Sequence, residues 1–471
     1  MKQVLILGGG VAGLACGLEL AQNHYQVDIV EALPESGGLA RNFHKNGFTF
    51  DIGPHRVYSD FPEVEKFMRE LGGDESNLVH RQSRMRLKNR YFQYPLQASE
   101  LLKGLPMSLW FKFMWGFVSK NMGKNNPDIN SYAGYLQQKF GKGVCDFFFL
   151  PYARKVWGID PQEISADIVK VRISQKGLKD TLKNILIKNS QGPDKNYVSD
   201  FYYPRNGIGA IPAALAEKAQ KAGVRIHLNS RVTEMVIDRT LYGTDVRQVI
   251  CDTPNGTTTF TPDRIVSTIP LPELVKLLKP DDDEIIQSAR NLRHRNLILG
   301  CYMLRKPFIS DDHWLYFPEE SYHFTRLHLP GNFSPAMCPP GKSSIVAEIT
   351  CAGAEGRWKS TDLELNDLMS DDLLTTDLVQ ITDLEDYAIY RVPNAYPVYD
   401  LEYRNRLNRI FSWLRTINNL TTTGRQGLYH HNNLDHSILM GQAAAEFIQK
   451  PEPVQPWYDY ISHFDRFRIV D

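Results

Sequence analysis

Apolar residues near the start of the chain fall into a short run, a helix-like spacing and a second short run. The run VLIL at 4–7 predicts a buried strand, and the apolar residues spread through 11–22 predict a helix. A second run, VDIV at 27–30, predicts another strand that ends just before Glu31. This order indicates a parallel strand–helix–strand unit, which is typical of doubly wound α/β proteins.

Farther along, strand-like and helix-like patterns alternate in a discontinuous order. Residues 80–97 predict a hairpin with its turn at 88–90, and residues 98–190 are mainly helical. An amphipathic pattern near 211–222 predicts a helix that returns to the first sheet, and residues 291–400 predict an antiparallel sheet. We therefore predict an α/β fold with a parallel-sheet domain and a discontinuous substrate domain of helices and an antiparallel sheet. The predicted divisions are 1–97, 201–290 and 401–450 for the first domain, 98–200 and 291–400 for the second, and 451–471 for a C-terminal tail.

Bulk composition excludes several classes of protein. Among 471 residues, acidic and basic side chains are equal at 54 each, so bulk charge gives no attraction to nucleic acid or to an anionic membrane. The six cysteines form neither a C-x-x-C pair nor a metal-ligand spacing, so we expect reduced thiols and no metal. Because a strand begins by residue 3, the start leaves no space for a secretory signal, and we expect a cytoplasmic protein.

One segment, LLKGLPMSLWFKFMWGFVSKNMG at 101–123, comes nearest to a membrane-embedding pattern. Lys103, Pro106 and Lys112 interrupt it, and most of the basic polar face that is typical of interfacial helices is missing. We therefore favour a substrate-domain helix here. Membrane association through 101–123 is the less favoured alternative.

The turn between the first strand and the first helix carries three glycines in the register G-x-G-x-x-G. Gly8 allows a tight bend, Gly10 lets the backbone approach a pyrophosphate, and Gly13 lets the helix pack against the strand. The helix then directs its unpaired N–H groups at the phosphates. Glu31 follows the second strand, where a carboxylate can accept hydrogen bonds from a ribose 2′-hydroxyl and repel a 2′-phosphate. The motif predicts that the parallel-sheet domain is a Rossmann-type dinucleotide-binding domain. Its site excludes NADP more firmly than it separates NAD from FAD.

A second glycine pair follows in EALPESGGLARNFHKNGFTFDIGPHRVYS, at 31–59. This segment resembles the glycine doublet of the flavoprotein group that contains amine oxidases, protoporphyrinogen oxidase, phytoene desaturases and UDP-galactopyranose mutase. The resemblance implies a GR2-like flavoprotein with bound FAD, whose diphosphate follows the doublet toward the flavin ring. The cofactor-binding residues predicted in this way are Gly8, Gly10, Ala12, Gly13, Glu31, Ala32, Gly37, Gly38, Leu39, Ala40, Arg41, Gly53, Pro54, His55, Val232, Gly424, Arg425, Asn433, Leu434 and Ser437.

Two later segments resemble the UDP-galactopyranose mutases within that group. In PYARKVWGID, at 151–160, the resemblance implies that Tyr152 stacks on a uracil and that Trp157 closes the pocket. The alternative is that both aromatic residues belong to the core. The stretch TTTGRQGLYHHNNLDHS, at 421–437, resembles the segment that crosses the flavin pyrimidine at a helix N-terminus. The other implied substrate-binding residues are Tyr396, His430 and His431, the two histidines standing where mutases commonly have tyrosines.

The candidate catalytic residues are one histidine and three cations. His55 follows Gly53-Pro54 as a histidine follows a glycine pair in the eukaryotic mutases, where it sits beside the flavin. The mutases carry a mobile arginine where this chain has Lys176, which keeps the charge but loses bidentate diphosphate geometry. Arg293 and Arg295 are the other candidate contacts to a substrate diphosphate.

Three functions remain open at this point. Reduced flavin can act on the anomeric carbon of a nucleotide-linked sugar such as a UDP-sugar, with NADH or NADPH as the external electron donor. Alternatively, the flavin can take a hydride from a C–H bond, with oxygen as the acceptor, and an amine substrate then needs an aromatic cage. A binding protein without turnover is the third. We favour the first function, action on a nucleotide-linked sugar. The residues that could form an aromatic cage for an amine are Trp110, Phe113, Trp115, Phe147, Phe148 and Phe149.

Overall fold

The computed structural model describes residues 2–53, 55–73, 75–96, 98–121, 127–170, 198–240, 243–450 and 455–469. Two of the predicted site residues, Pro54 and Lys176, lie outside these ranges.

The strands, in chain order, are β1 (Gln3–Leu7), β2 (Gln26–Val30), β3 (Asn42–Lys45), β4 (Phe48–Asp51), β5 (Asn77–His80), β6 (Ser83–Leu87), β7 (Arg90–Gln93), β8 (Asp200–Tyr203), β9 (Arg225–His227), β10 (Arg231–Thr240), β11 (Gly243–Thr253), β12 (Gly256–Phe260), β13 (Arg264–Ser267), β14 (His294–Leu304), β15 (Trp314–Tyr316), β16 (Arg326–His328), β17 (Ser343–Cys351), β18 (Leu384–Pro397) and β19 (Leu420–Thr422).

The α-helices are α1 (Val11–Gln22), α2 (Pro62–Gly72), α3 (Ala98–Gly104), α4 (Met107–Asn121), α5 (Tyr132–Phe140), α6 (Lys142–Val144), α7 (Leu150–Trp157), α8 (Asp167–Lys170), α9 (Ala210–Lys221), α10 (Leu271–Leu278), α11 (Asp283–Arg290), α12 (Pro330–Phe333), α13 (Gly356–Lys359), α14 (Asp362–Leu374), α15 (Tyr403–Leu414), α16 (Gly424–Gly427), α17 (Leu434–Gln449) and α18 (Trp457–Tyr460).

A five-stranded sheet carries the glycine motif. Its order is β19-β13-β1-β2-β9, and every neighbouring pair is parallel. Helices α1, α9 and α17 bury apolar residues in the same core as β1, β2 and β13, which explains why these strands are almost continuously apolar. The strand–helix–strand unit predicted for 4–30 is therefore confirmed, and it sits in the middle of a sheet whose strands come from distant parts of the chain.

Helices α1 and α17 pack with their backbones in close approach. A Cβ on Gly441 of α17 would lie 2.2 Å from the carbonyl oxygen of Ala12 in α1. Within the glycine turn itself, a Cβ on Gly13 would lie 2.1 Å from the carbonyl oxygen of Gly8. No side chain fits at either point, so glycine is required by the packing itself. This contact draws the C-terminal part of the chain onto the first turn of α1.

A seven-stranded sheet forms the second layer, in the order β18-β14-β17-β16-β15-β6-β7. Its pairs are antiparallel except β15 with β6, which confirms the antiparallel sheet predicted for 291–400. The hairpin predicted for 80–97 is also present, and it extends this sheet. Lys88 and Asn89 have positive φ at its turn, while Arg90 already begins β7, so the turn is one residue shorter than predicted.

The helices α3 to α8 form a helical cap. They confirm the helical pattern predicted for 98–190 as far as residue 170, and residues 171–190 lie outside the described residues. Phe113 and Phe148 are buried there together with Leu87 and Phe92 of the hairpin. Across the part of the chain that the structure describes, no helix is both long enough and apolar enough to cross a bilayer.

Candidate active site

Two glycine turns lie side by side at the carboxyl end of β1. Gly37 donates its N–H to the carbonyl of Gly9 at 2.8 Å, which holds the second turn against the first. A Cβ built on Gly38 would lie 3.2 Å from the Cα of Gly10, so backbone alone lines the contact. Helix α1 begins directly after Gly10, and the N–H groups of its first turn have no partner within the helix. The paired turns thus form a cradle that suits a pyrophosphate.

Glu31 lies buried at the carboxyl end of β2, next to the first glycine turn. Its Oε2 accepts the N–H of Gly9 at 2.8 Å, and its Oε1 accepts the N–H of Leu33 at 3.0 Å. Ala32 beside it is exposed, and the N–H of Ser230, just before β10, donates to the carbonyl of Glu31. The carboxylate therefore orders one end of the cradle, where the sequence predicts the ribose contact, and that contact stays a prediction.

The side chain of Arg41 contacts the second glycine turn. Arg41 donates from Nε to the carbonyl of Gly38 at 2.8 Å and pairs through Nη1 with Glu35 at 3.1 Å. Leu39 and the buried Ala40 complete the same short 3-10 turn. Val232 lies two residues after Ser230, on the half-buried start of β10. The roles of these residues in holding the cofactor stay predictions.

The segment 423–437 closes the cradle from the C-terminal half of the chain. A Cβ on Gly424 would lie 2.7 Å from the Cβ of Ala12, so α16 rests on the first turn of α1. Arg425 donates to the carbonyls of Asn432 (2.6 Å) and Ala395 (3.0 Å). Asn433 occupies the N-cap of α17, Leu434 is its first residue, and Ser437 donates to the Asn432 side chain at 3.3 Å. These contacts hold the start of α17 against α16, which itself rests on the first turn of α1.

His55 is a neutral imidazole next to this segment. Its Nδ1 lies 3.0 Å from the carbonyl of Gly53, and because a carbonyl only accepts, this nitrogen carries the proton. Burial, together with the nearby guanidinium groups of Arg425 and Arg326, lowers the pKa of His55 to about 4. Near neutral pH the ring therefore keeps a lone pair on Nε2, with which it can accept a hydrogen bond or a proton.

Arg425 contacts two members of a group of three aromatic rings. Trp157 lies edge-on to Tyr396 (centroids 6.3 Å apart) and to His431 (6.0 Å), and Tyr396 and His431 are 6.0 Å apart. The Arg425 guanidinium lies 5.6 Å from the Tyr396 ring centroid and contacts His431 Nδ1 at 3.2 Å. The structure thus brings together four of the predicted site residues from three separate segments.

Tyr152 belongs to a different group of rings. It meets Tyr316 edge-on with centroids 6.4 Å apart, and Tyr316 in turn lies 5.0 Å from Tyr94. Because five residues along a helix turn through about 140° from one face to another, Tyr152 and Trp157 do not share a face of α7. Tyr152 and Trp157 therefore contact two different groups of rings, and their shared role around a uracil stays a prediction.

Arg326 connects the two groups, and the sequence analysis missed it. It lies directly across from Tyr316 in the β15–β16 pair, and its charge also acts on Tyr396 and His55. Nε and Nη2 donate to the buried Glu348 at 3.0 and 2.7 Å, so this bidentate pair does not use Nη1.

The carboxylate of Glu348 also contacts His328 Nδ1 at 3.0 Å. Burial alone would raise the pKa of Glu348, but Arg326 and His328 hold it at about 2. Two basic residues at alternate positions of β16, facing an acid in the apolar strand β17, are the sequence signal that could have found Arg326.

Tyr94, Tyr316 and Tyr152, followed by Arg326 and then by His55 and Arg425, are called the row below. The other predicted cations in the described residues contact acids, as does His430, and Arg295 lies directly across from Tyr396 in the β14–β18 pair. Arg295 is 5% exposed and pairs with Glu355 at 2.8 Å, and Arg293 pairs with Asp400 at 3.3 Å. His430 Nε2 lies 3.8 Å from Asp465 of the C-terminal tail. Their catalytic and substrate-binding roles stay predictions, since the structure engages each with an acid outside the row. Within the described ranges, no cluster of three His, Cys, Asp or Glu side chains is arranged to hold a metal ion.

The parallel sheet, its paired glycine turns and the adjacent row of rings and cations define a flavin-dependent enzyme. The family model described as "Flavin containing amine oxidoreductase" matches residues 11–374, so the chain belongs to this family. It is 23% identical over 463 residues to protoporphyrinogen oxidase 2, chloroplastic/mitochondrial, of Arabidopsis thaliana, covering 87% of this chain and 86% of that protein.

Two mutases are also similar to the chain. A dTDP-fucopyranose mutase of Escherichia coli is 24% identical over 173 residues, covering 36% of this chain and 45% of that protein. The crystal structure of reduced UDP-galactopyranose mutase superposes with a TM-score of 0.82 at 23% identity, covering 99% of both chains. At that identity, the structural match establishes the fold alone. The family and the cradle together indicate a bound flavin.

The depressed pKa of His55 predicts a specific pH dependence of stability. The unfolded chain binds a proton on this residue below about pH 6.5, whereas the folded chain does so only below about 4, so His55 favours unfolding as the pH falls through that window. Between pH 7.5 and pH 5 we expect His55 to lower the free energy of unfolding by about 2 kcal/mol. Urea titrations of wild type and His55→Gln at both pH values measure it. An equal pH dependence in both proteins contradicts the assignment.

Proposed function

We propose that the protein binds FAD and uses the reduced flavin to act on a nucleotide-linked sugar, with UDP-sugars as the first class to test. The observation that carries this proposal is the position of Arg326. It lies between the Tyr94–Tyr316–Tyr152 rings on one side and His55 with Arg425 on the other. A nucleotide-sugar has the same order of parts: an aromatic base, a diphosphate and a sugar.

Each part of the row has a chemical task in this proposal. The tyrosine rings offer flat faces for a uracil, which stacks on aromatic side chains. Arg326 remains charged beside Glu348 and presents its guanidinium to the diphosphate, whose negative charge grows as the sugar departs. His55 accepts a hydrogen bond at Nε2 without carrying a competing charge. Reduced FAD supplies a nucleophile for the anomeric carbon, so that the reaction needs no net oxidation of the sugar.

FAD is the flavin cofactor that the cradle favours. The paired glycine turns and the unpaired N–H groups of α1 suit a pyrophosphate, which riboflavin phosphate lacks. Glu31 stands at the end of β2, where it can bind the ribose hydroxyls of the adenosine half. The start of α17 supplies a positive helix end, which stabilises negative charge on a reduced flavin. NADH or NADPH is the electron donor we propose for keeping the flavin reduced.

The second candidate is hydride removal from a C–H bond, with oxygen as the electron acceptor. Similarity to a protoporphyrinogen oxidase along most of the chain favours it. The positions of the residues proposed for an aromatic cage argue against an amine as the substrate. Phe113, Phe147 and Phe148 pack on one another through tilted and edge-on contacts in their own small core, and Trp115 is 70% exposed. Oxidation of an amine is therefore the weaker proposal.

A titration of the reduced enzyme with UDP tests the proposed substrate class. The purified protein is reduced with dithionite without oxygen, and the flavin spectrum is followed as UDP is added, with ADP as the matched control. We expect UDP to perturb the spectrum and UDP-galactose to be converted to an isomer only after reduction. If UDP leaves the flavin spectrum unchanged and the enzyme oxidises an amine in the presence of oxygen, the second candidate is established instead.

Replacing the two aromatic residues of α7 separates ligand binding from packing. Tyr152→Ala should remove a stacking contact worth ~1–3 kcal/mol and weaken UDP binding by about ten- to a hundredfold. Trp157 is 5% exposed within the main core, so Trp157→Ala should cost about 3–5 kcal/mol of stability. Tyr25→Ala, a half-buried tyrosine near the C-terminus of α17, is the matched control. Melting temperature and UDP affinity are measured on all three variants. Unchanged UDP affinity in Tyr152→Ala would exclude stacking there.

A further inference from the structure

Lys155 lies half-buried on the side of α7 that carries Tyr152. The two residues are three positions apart, so they lie within about 60° of each other around the helix. The Nζ of Lys155 donates to the main-chain carbonyls of Phe317 at 2.8 Å and Glu319 at 3.0 Å. Both carbonyls belong to the segment that directly follows Tyr316, the last residue of β15. One side chain therefore joins the helix that carries Tyr152 to the chain that continues from Tyr316.

The segment 317–319 is itself held at two further points. Phe317 is fully buried, and its N–H donates to the carbonyl of Thr325 at 3.0 Å. The Oε1 of Glu319 accepts the N–H of Lys88, in the turn of the hairpin, at 3.2 Å. Tyr94 directly follows β7 of that hairpin. The three pieces of chain that carry the tyrosine rings of the row therefore meet at 317–319.

A lysine at this position costs stability. Burial lowers the pKa of Lys155 from 10.5 to about 7, although the charge of Asp372 acts in the opposite direction. Because the unfolded chain holds this proton more tightly than the folded chain does, the shift opposes folding at neutral pH. A methionine of similar length would fill the same space without that cost. Stability alone therefore does not account for the lysine.

We propose that Lys155 is a positioning residue that holds Tyr152 against Tyr316 and so forms the end of the row that binds a pyrimidine base. This inference rests on the proposed function, because it assigns the tyrosine rings to the base of a nucleotide-linked sugar. The diphosphate end depends on a different contact, the pair of Arg326 with Glu348. Loss of the Lys155 contacts should therefore weaken recognition of the base and leave recognition of the diphosphate unchanged.

Titration of the reduced, flavin-loaded enzyme with UDP and with inorganic pyrophosphate tests the proposal. We expect Lys155→Met to bind UDP about tenfold more weakly than wild type, and to bind pyrophosphate within about twofold of wild type. Lys306→Met is the matched control. Lys306 also donates to a main-chain carbonyl, that of Leu378 at 2.7 Å, but it follows the end of β14 that lies away from Tyr396. This control should bind both probes as wild type does.

A double-mutant cycle shows whether Lys155 acts through the ring of Tyr152. In the Tyr152→Ala background, Lys155→Met should lower UDP affinity by less than about twofold further, because the ring that it positions is already absent. Melting temperature and flavin content show that each variant is folded. Should Lys155→Met not fold, Lys155→Gln, which is uncharged and one atom shorter than lysine, is measured in the same way.

The outcomes separate this inference from the proposed function. Equal losses of UDP and pyrophosphate binding in Lys155→Met overturn the inference, and so do losses from Lys155→Met and Tyr152→Ala that multiply in the double variant. Unchanged UDP affinity in folded Lys155→Met also overturns it and leaves the proposed function intact. If wild type binds pyrophosphate but not UDP, the proposed function fails and this inference fails with it.

Discussion

Replacing Gly10 with valine yields a folded but colourless protein. Gly10 has φ −70° and ψ 174°, which a valine adopts without strain, and a Cβ there meets only the Cα of Gly38, at 3.9 Å. The branched side chain therefore enters the cradle and not the protein core. Because the cradle is where a pyrophosphate approaches the backbone, we expect loss of nearly all bound flavin, measured as the ratio of flavin to protein absorbance.

The same variant also tests how far flavin supports the fold. A ligand present at a thousand times its dissociation constant adds about 4 kcal/mol of stability, so Gly10→Val should melt like wild-type apoprotein. Gly356→Val is the matched control, because a Cβ at that position has nothing within 4 Å. It should keep its colour. Full flavin occupancy in Gly10→Val would show that the cofactor does not lie on the glycine turns.

Arg326→Lys should lower the affinity of the reduced enzyme for UDP by about ten- to a hundredfold, the loss of a charged hydrogen bond worth ~1.5–3 kcal/mol. Lysine keeps a positive charge beside Glu348, so the buried acid is not left without a counter-ion. What it loses is the planar fork that can hold Glu348 and a diphosphate at the same time. The measurement is the same spectral titration with UDP, on protein whose flavin content equals that of wild type.

A second bidentate arginine provides the control for Arg326→Lys. Arg225 pairs with Asp28 at 2.8 and 2.5 Å at the edge of the parallel sheet, away from the row of rings. Arg225→Lys should change UDP affinity little. If both variants bind UDP as wild type does, Arg326 serves only to neutralise Glu348, and the diphosphate lies elsewhere.

The elements of this fold could be predicted from sequence wherever the signal is local. The run VLIL, the glycine register and Glu31 fall within one strand–helix–strand unit, and the structure confirms that unit. The hairpin at β6 and β7 was likewise readable from its turn residues. The sheet to which that hairpin belongs was not readable, because its pairing with β15 joins residues more than two hundred positions apart.

The candidate site was harder to predict because its geometry arises from contacts between segments. Arg326 gains its significance from Tyr316 across one strand pair and from Glu348 across another. Arg295 was selected as a cation, yet Glu355 engages it, and nothing local to 291–400 indicates that pairing. His430 and His431 are adjacent in sequence, but they diverge to Asp465 and to Trp157 respectively. Motifs in a single sequence identify candidate residue types, but the fold determines which of those residues lie in contact.

The order β19-β13-β1-β2-β9 has a consequence for how the protein is made. The glycine turns leave the ribosome well before β19 and Gly441 of α17, which close the sheet edge and pack on α1. Until then, the apolar edge of β13 and one face of α1 have no partner. The second half of the cradle, α16 with the start of α17, is therefore in place only after these later segments have been synthesised.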